Sequence, residues 1–439
     1  MGQLALLGGE PVRTRSFSAW PLQTEHEVEA VCAVVRSGRW SRHLARHPRG
    51  AAPADSTTVW QVDLLEREIA AWIGVEHALA VNSGTSALTM ILRALGLGPG
   101  DEVIVPGYAS IAVATAVLEN NAIPVFADIE AETYTISPNS VGRSVTPRTR
   151  AVIAFHLGGQ LCDMDTLIPF LEPRGIAVVE DARHALGSRT ADGRSAGTFG
   201  RAAAFSFGAS GTLTAGEGGL IATSDDGIAE SVRILHDHGL EMRSERPRHV
   251  ALGMSSRMTE LQAALLRAQL PHLSSLNERR AENVGYFLQA IELVGGLHPT
   301  ARVAEGAAHT HHHVILRYDS REFHGATRDA FAKALVAEGI PCSAGYPEPI
   351  YASPLFHEQR FFTDRCPVNC PRVGRAVSFD RYTRTCPNAE RAARVESIWL
   401  PHRVFLGDRA DADDVLYAIH KIIEHAESLA HTTGEAPDL

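Results

Sequence analysis

Apolar segments with the composition of buried strands alternate with helical stretches between residues 62 and 182. A helix is predicted from Val62, followed by a strand from His77 to Val81 and a second helix from Ser86. Four further buried strands are predicted at residues 101–108, 123–129, 151–157 and 176–182, with helices between them. Such alternation predicts a doubly wound, mostly parallel α/β sheet whose site lies at the carboxyl ends of its strands.

The pattern changes in the second half of the chain. Residues 215–225 predict a hairpin-like pair of elements at the sheet edge, and helices are predicted at 227–236 and 258–290, the latter broken at Pro271. Short strands and helices then mix, which predicts a smaller C-terminal α+β domain. We therefore predict an N-terminal arm (1–30), a large domain (31–274) containing a mobile loop (41–58), a small domain (275–430) and a disordered tail (431–439).

Composition narrows the class of protein. The 439 residues are 45% hydrophobic and 21% charged, with a formal net charge of −10 and no basic stripe, which argues against a nucleic-acid or anionic-membrane partner. We find no membrane-spanning run and no signal-peptide pattern, and the six cysteines are scattered, so we expect a cytoplasmic protein with reduced thiols. Cys366 and Cys370 are spaced CxxxC, but without a second pair we expect no metal site there.

Two local features suggest anion and base chemistry. The loop Asn82-Ser83-Gly84-Thr85-Ser86 opens a helix, where free backbone N–H groups suit a phosphate; a mere helix cap is the alternative. Glu180 and Asp181 end a buried strand, where a carboxylate is costly unless it has a partner such as a protonated pyridine nitrogen.

The combined motifs carry a resemblance that covers nearly the whole chain, from about Leu6 to Ile423. VNSGTSAL, VEDARHALG, GTFGRAAAFSF, TAGEGGLIAT, ILHDHG and SSRMTELQAALLRAQL occur in the order and spacing of the DegT/StrS-type sugar aminotransferases. LGGEPVR and CPNAERAARVESIWLPHRVFLG make the chain most similar to 3-amino-5-hydroxybenzoate synthases and cyclitol aminotransferases. The resemblance implies a fold-type-I pyridoxal phosphate (PLP) architecture and a homodimer with its active sites at the subunit interface.

The resemblance also implies roles for particular residues. Gly84, Thr85 and Ser206 would hold the cofactor phosphate, Asp181 would pair with the pyridine nitrogen, and His184 would lie near the ring's 3-hydroxyl. Glu217 in the GEGG turn would either stabilise that turn or contact substrate.

One position departs from the family in a chemically decisive way. The family's Schiff-base lysine stands five residues after the phosphate-binding serine, and here that position is Gly211. The chain has only two lysines, Lys333 and Lys421, both on predicted helices far from this position. Glycine can neither form the internal aldimine nor move a proton. We therefore expect PLP or pyridoxamine phosphate (PMP) to bind non-covalently, if either binds.

Three more departures surround the same pocket. Ser110 replaces the aromatic side chain that stacks on the pyridine ring, and Ser255 replaces an asparagine donated by the neighbouring subunit. Arg183 replaces a small residue, and would either clamp a substrate carboxylate or phosphate or form a salt bridge to Glu180 or Asp181.

Several histidines are candidates for the missing base. They are His184, His236 and His238, the last two being alternatively a helix cap. His309, His311 and His313 alternate along a predicted strand and should share one face, with His311 expected at the rim of the site and a metal site as a less favoured alternative.

The leading hypothesis is an enzyme of secondary metabolism that acts on a sugar-, cyclitol- or aminobenzoate-like small molecule without an internal aldimine. A second hypothesis is a catalytically inactive subunit that pairs with a lysine-bearing paralogue. A third is a PLP-dependent aminotransferase altered at Gly211.

Overall fold

The computed structural model describes residues 2–42, 59–241, 247–301, 303–361, 367 and 378–432. Most of the predicted mobile loop, residues 43–58, lies outside the described residues, as do Cys366, Cys370 and residues 433–439. The last helix, Ala426–Thr432, includes the first two residues of the predicted tail, and the disorder of the tail stays a prediction. None of the helices in the described ranges combines the length and apolar character required to cross a membrane.

A seven-stranded sheet forms the centre of the larger part of the molecule. The five strands on one side of it run parallel to one another, which confirms the predicted mostly parallel α/β class. In spatial order the strands are β1 (His77–Val81), β7 (Gly219–Thr223), β6 (Ala202–Ser206), β5 (Ala177–Asp181), β4 (Thr149–Phe155), β2 (Glu102–Pro106) and β3 (Ile123–Ala127).

Strand β7 corrects one prediction. The segment expected to form a pair of edge elements contributes a single strand that lies inside the sheet, antiparallel to both β1 and β6. All five of its residues are buried. A strand covered on both faces is apolar throughout, and its sequence alone does not show which strands flank it.

Helices cover both faces of the sheet and continue into the C-terminal part. The helix Gly84–Ala94 packs on β6, β7 and the helix Ala112–Glu119, whereas Glu260–Gln269 packs on Gln61–Ile73 and Glu25–Ser37. The predicted break at Pro271 is present between Glu260–Gln269 and Leu273–Ile291. The other α-helices are Pro138–Ser144, Met164–Leu171, Asp226–Leu235, Arg328–Ala337, Pro354–His357, Tyr382–Thr385, Pro387–Arg391 and Arg409–Glu424.

The C-terminal part is built on a smaller antiparallel sheet. Its strands are β10 (Leu297–Pro299), β11 (His313–Tyr318) and β12 (Ser397–Pro401), and a two-stranded ribbon, β8 (Leu240–Glu241) and β9 (Arg248–His249), lies outside both sheets. This smaller α+β region matches the predicted class. The predicted domain boundaries at residues 30 and 274 fall inside the helices Glu25–Ser37 and Leu273–Ile291. The division into domains stays a prediction.

The first residues of the chain are tied to this smaller region. The buried carboxylate of Glu338 accepts hydrogen bonds from the backbone N–H of Ala5 (2.8 Å) and of Val12 (3.0 Å), and pairs with Lys421 Nζ at 2.9 Å. The Lys421 ammonium also donates to the Glu10 carbonyl. Lys421, one of the two lysines, therefore stabilises the contact between the first residues of the chain and the smaller region.

Candidate active site

The start of the helix Gly84–Ala94 meets the end of β6. Ser83 caps this helix, its Oγ accepting from the Ser86 N–H at 3.1 Å, so the capping interpretation of the loop holds for Ser83. A Cβ atom on Gly84 would lie 2.7 Å from the Ser206 Cβ, which explains why glycine opens the helix. Because N–H groups in the first turn have no intrahelical acceptor, Gly84, Thr85 and Ser206 form a concave set of donors suited to a phosphate. We call these three residues the cup.

Strand β7 packs closely against Ser83, the residue that precedes the cup. A Cβ on Gly219 would lie 2.3 Å from the Ser83 carbonyl carbon, so only glycine permits this approach. Glu217, two residues earlier, is exposed, and its backbone carbonyl accepts from Gln262 Nε2 at 2.8 Å. Both roles of the Glu217 side chain, in the turn or in contact with substrate, stay predictions.

The neighbouring carboxylates at the end of β5 have different environments. Glu180 is fully buried and accepts from the amides of Gly197, Phe199 and Gly200 and from His156 Nε2. Asp181 is 1% exposed; its Oδ1 accepts from Arg183 Nε at 2.8 Å, whereas its buried Oδ2 has no partner among the described residues. Glu180 is thus engaged in the fold, and Asp181 keeps one oxygen for a ligand.

Arg183 lies beside Asp181. Burial opposes the charged guanidinium, but the Asp181 carboxylate raises the pKa of Arg183 above its ordinary value. Its Nη1 donates to Ser110 Oγ at 3.3 Å, while its Nη2 is buried without a partner among the described side chains. The structure therefore shows the Asp181 salt bridge that the sequence left as one alternative, and it excludes Glu180 as the partner of Arg183.

Tyr346 completes this side of the pocket and was not a candidate from the sequence. Its hydroxyl interacts with Ser110, and its ring packs edge-on against Tyr108 at 5.6 Å and Trp399 at 5.0 Å. The small side chain of Ser110 gives Arg183 and Tyr346 room to approach. No local periodicity marks Tyr346, since it comes from an irregular segment more than 230 residues later in the sequence.

His184 lies among other buried histidines. Its Nδ1 accepts from the Gly158 N–H at 3.2 Å, and its ring stacks on His312 at 4.0 Å and 16°. Burial, His313 and Arg183 lower the pKa of His184 well below its ordinary value. The ring is therefore neutral at pH 7 and carries its proton on Nε2.

The ligand atoms of His184, His312 and His313 lie within 4.8 Å of one another, as a metal site would require. However, the Nδ1 atoms of His312 and His313 are hydrogen-bonded at 2.9 Å, and the rings of His184 and His312 are stacked on each other. These contacts favour a hydrogen-bonded cluster over tetrahedral coordination.

The prediction that His309, His311 and His313 share one strand face is wrong. Strand β11 begins only at His313, and His311 has a positive φ of 45°, which breaks the alternation. His309 and His311 pack against each other with ring centroids 4.1 Å apart. The histidine that stacks on His184 is therefore His312, which was not a candidate from the sequence, and not His311.

The other base candidates, His236 and His238, lie at the end of the helix Asp226–Leu235 and in the turn that follows it. His236 ends the helix Asp226–Leu235 and its Nδ1 is 3.1 Å from the Val232 carbonyl, as the cap interpretation predicts. His238 has a positive φ of 55° in the following turn, and its carbonyl contacts His249.

Comparison with known proteins identifies the family. The model of the DegT/DnrJ/EryC1/StrS aminotransferase family matches residues 55–397. The chain belongs to this family. It is 31% identical over 441 residues to the L-glutamine:2-deoxy-scyllo-inosose aminotransferase of Streptomyces kanamyceticus, covering 98% of each chain.

Solved structures of this aminotransferase family agree. The crystal structure of 3-amino-5-hydroxybenzoic acid synthase matches with a TM-score of 0.80 and 30% identity, covering 94% of this chain and 99% of that one. DesV of S. venezuelae, solved in complex with a ketimine intermediate, matches with a TM-score of 0.74 and 32% identity, covering 92% and 95%. The resemblance to sugar and cyclitol aminotransferases is thereby confirmed, and with it the fold-type-I class.

Gly211 occupies the loop that the family resemblance associates with the cofactor lysine. Its N–H donates to the Gly208 carbonyl at 2.9 Å, and a Cβ there would lie 2.8 Å from the Leu213 carbonyl oxygen. Lys333 is exposed on the helix Arg328–Ala337, and Lys421 pairs with Glu338, so neither amine is at the cup.

Ser255 is exposed and is not in contact with Asp181 in the single chain. It pairs with Asp237 in an isolated bridge, while its neighbour Ser256 accepts from the Asn82 N–H at 3.0 Å. The segment carrying Ser255 therefore lies beside the loop that leads into the cup, and the contribution of Ser255 to a neighbouring subunit stays a prediction.

Proposed function

We propose that this aminotransferase-family protein is an enzyme that binds PMP or PLP without a covalent bond to the chain and acts on a sugar-, cyclitol- or aminobenzoate-type small molecule. The observation that carries the proposal is the buried Asp181 Oδ2, which has no partner among the described residues although it lies at the same sheet edge as the cup. A buried carboxylate oxygen without a hydrogen bond is costly, and a protonated ring nitrogen would satisfy it.

The side chains on this edge fit a non-covalent cofactor. Gly84, Thr85 and Ser206 would hold the phosphate, Asp181 would keep a proton on the ring nitrogen, and neutral His184 offers an Nε2–H donor. When bound, PMP supplies an amino group and an electron-withdrawing ring. Gly211 offers no amine for attachment, which supports reversible binding.

The substrate class follows from the relatives and from Arg183. A relative named for 2-deoxy-scyllo-inosose and L-glutamine supports a keto-cyclitol or keto sugar as the amine acceptor. The unpartnered Nη2 of Arg183 is available to an oxygen of such a ligand, while Nε holds Asp181. We also propose a homodimer with the active site at the interface, which the exposed Ser255 beside the cup loop supports.

A direct test measures whether the purified chain binds PMP and whether it binds PLP. The purified chain is incubated with PMP and, separately, with PLP, and binding is followed by absorbance and native mass spectrometry. We expect 1:1 binding that is reversed by dialysis and lost in Asp181→Ala. Asp165→Ala is the matched control, because that side chain is 74% exposed and pairs with exposed Arg194. Binding of neither form, or equal binding by Asp181→Ala, contradicts the proposal.

The second candidate is an inactive partner subunit, which the replacement at Gly211 favours. It requires a lysine-bearing relative that co-purifies with this chain and gains activity from it. An enzyme acting alone should instead aminate 2-deoxy-scyllo-inosose once per supplied PMP, as seen by mass spectrometry.

The third hypothesis requires that Gly211→Lys restore the yellow lysine-bound chromophore and amino transfer.

A further inference from the structure

The Asp181 carboxylate already has a positively charged partner within the chain. Its Oδ1 accepts from Arg183 Nε at 2.8 Å, and the side chains of Asp181 and Arg183 are only 1% and 13% exposed. Although burial opposes the charged form, the carboxylate raises the pKa of Arg183 above its ordinary value, so the guanidinium is charged at pH 7. The negative charge of Asp181 is therefore balanced before any ligand binds.

A protonated pyridine nitrogen at Asp181 would be a second cation beside this one carboxylate. The unpartnered oxygen, Oδ2, belongs to the same group whose Oδ1 holds Arg183, so both cations would be in direct contact with a single negative charge. Like charges repel each other strongly in a buried site, because little water is present to screen them. The Arg183 charge therefore opposes the binding of a protonated ring.

The Arg183 side chain also reaches the part of the pocket where the ring face is expected. Its Nη1 donates to Ser110 Oγ at 3.3 Å, and the family resemblance assigns to residue 110 the side chain that stacks on the pyridine ring. The hydroxyl of Tyr346 interacts with the same serine. Arg183 thus extends from the group that would pair with the ring nitrogen to the group that would face the ring, and a bound ring would meet the guanidinium there.

We propose that Arg183 competes with the cofactor's pyridinium for Asp181 and is the residue that keeps the binding of PMP weak and reversible. The inference rests on the proposed function, because it requires that the ring nitrogen of PMP be directed to Asp181. Binding of the protonated ring then requires the guanidinium to move away from this carboxylate. The loss of that ion pair lowers the affinity for PMP.

Isothermal titration calorimetry of the full chain with PMP tests the proposal through the dissociation constant, Kd. Arg183→Gln removes the charge but retains an NH2 group that can donate to Asp181, so we expect Kd to fall by about tenfold or more. Arg183→Lys keeps a cation near Asp181 and should change Kd much less. Arg189→Gln is the matched control, because it removes a nearby exposed arginine and should bind PMP as the unmodified chain does.

The results for Arg183→Gln and for the unmodified chain distinguish this inference from the proposed function. Tighter binding by Arg183→Gln supports the inference, even where the unmodified chain shows no binding and the proposed function therefore fails. Equal or weaker binding by Arg183→Gln overturns the inference, whereas the proposed function stands as long as the unmodified chain binds PMP. Absence of binding in both overturns both.

A second measurement covers the case in which Arg183→Gln does not fold. Crystals of the unmodified protein are grown without PMP and with an excess of PMP. We expect the ion pair between Arg183 and Asp181 in the first crystals, and a separation beyond about 4 Å in the second, where the ring nitrogen takes the place of the guanidinium. An ion pair that persists in the second crystals, with PMP bound or with the pocket empty, overturns the proposal.

Discussion

Replacing Glu180 with glutamine perturbs a buried carboxylate that accepts four hydrogen bonds. Oε1 accepts from the Phe199 and Gly200 amides, both at 2.8 Å, and Oε2 accepts from the Gly197 amide at 2.7 Å and from His156 Nε2 at 3.0 Å. His156 cannot reverse its role, because its Nδ1 already accepts from the Cys162 N–H at 3.1 Å.

The loss in free energy of unfolding caused by Glu180→Gln can be worked out from the number of hydrogen-bond donors that lose their acceptor. A glutamine side chain can keep the Phe199 and Gly200 bonds through its carbonyl, but its NH2 group then faces two donors, the Gly197 amide and His156 Nε2. Each buried donor left unsatisfied costs about 1–3 kcal/mol, so Glu180→Gln should lower the free energy of unfolding by about 2–6 kcal/mol. Because whole-protein stabilities are about 5–15 kcal/mol, this is a large effect.

Asp181→Asn should behave differently although it changes the next residue. It leaves the buried Arg183 guanidinium without its counter-charge, and the amide NH2 group takes the place of Oδ2 as a buried group without a partner among the described residues. Removing one partner of a buried ion pair costs about 3–5 kcal/mol, and the protonated pyridine nitrogen loses its acceptor, so we also expect a loss of PMP binding.

Urea unfolding followed by circular dichroism measures both variants, with Glu172→Gln as an exposed control expected within about 0.5 kcal/mol of the unmodified chain. Loss of PMP binding by folded Glu180→Gln, or retained PMP binding by folded Asp181→Asn, would refute the division of labour between the two carboxylates. So would an unaltered urea midpoint in Glu180→Gln.

Two further predictions concern the cup and the buried histidines. Gly84→Ala pushes a methyl group against Ser206 and should cost about 1–3 kcal/mol and weaken PMP binding, whereas Gly98→Ala, with no atom within 4 Å of the new Cβ, should change the urea midpoint little. Burial lowers the pKa of His309 and of His313 to about 4 and that of His402 to about 3, so the unfolded chain takes up protons first as the pH falls below about 6.5. Each should cost about 1 kcal/mol at pH 5.5, and equal urea midpoints at pH 7.5 and 5.5 would contradict this.

The sequence predicted the large sheet well because its strands are buried on both faces. The bounds of β1 coincide with the predicted strand from His77 to Val81, and β5 ends at Asp181 as expected. The place of β7 could not be predicted, since Gly219–Thr223 pairs with a strand some 140 residues earlier, and that pairing depends on the whole sheet. Local patterns report which residues are buried, not which strands are neighbours.

Parts of the candidate site could be predicted from the family resemblance. It implies that Asp181 and Ser206 share one pocket, and both residues lie at the carboxyl ends of the neighbouring parallel strands β5 and β6. The contact between His184 and His312 could not be predicted, because the positive φ at His311 breaks the strand alternation and no glycine marks the turn. The approach of Tyr346 to Ser110 likewise depends on how the C-terminal part packs on the sheet.

The register of β6 and β7 has a consequence for how this protein could change during evolution. Ser206 pairs directly with Gly219, so residues 207–218 form a closed insert whose two ends are held together by strand pairing. Gly211 lies in this insert. A side chain at Gly211 would press on the Leu213 carbonyl, so adding a reactive group there requires a shift within the insert, whereas the paired strands at its two ends can stay in place.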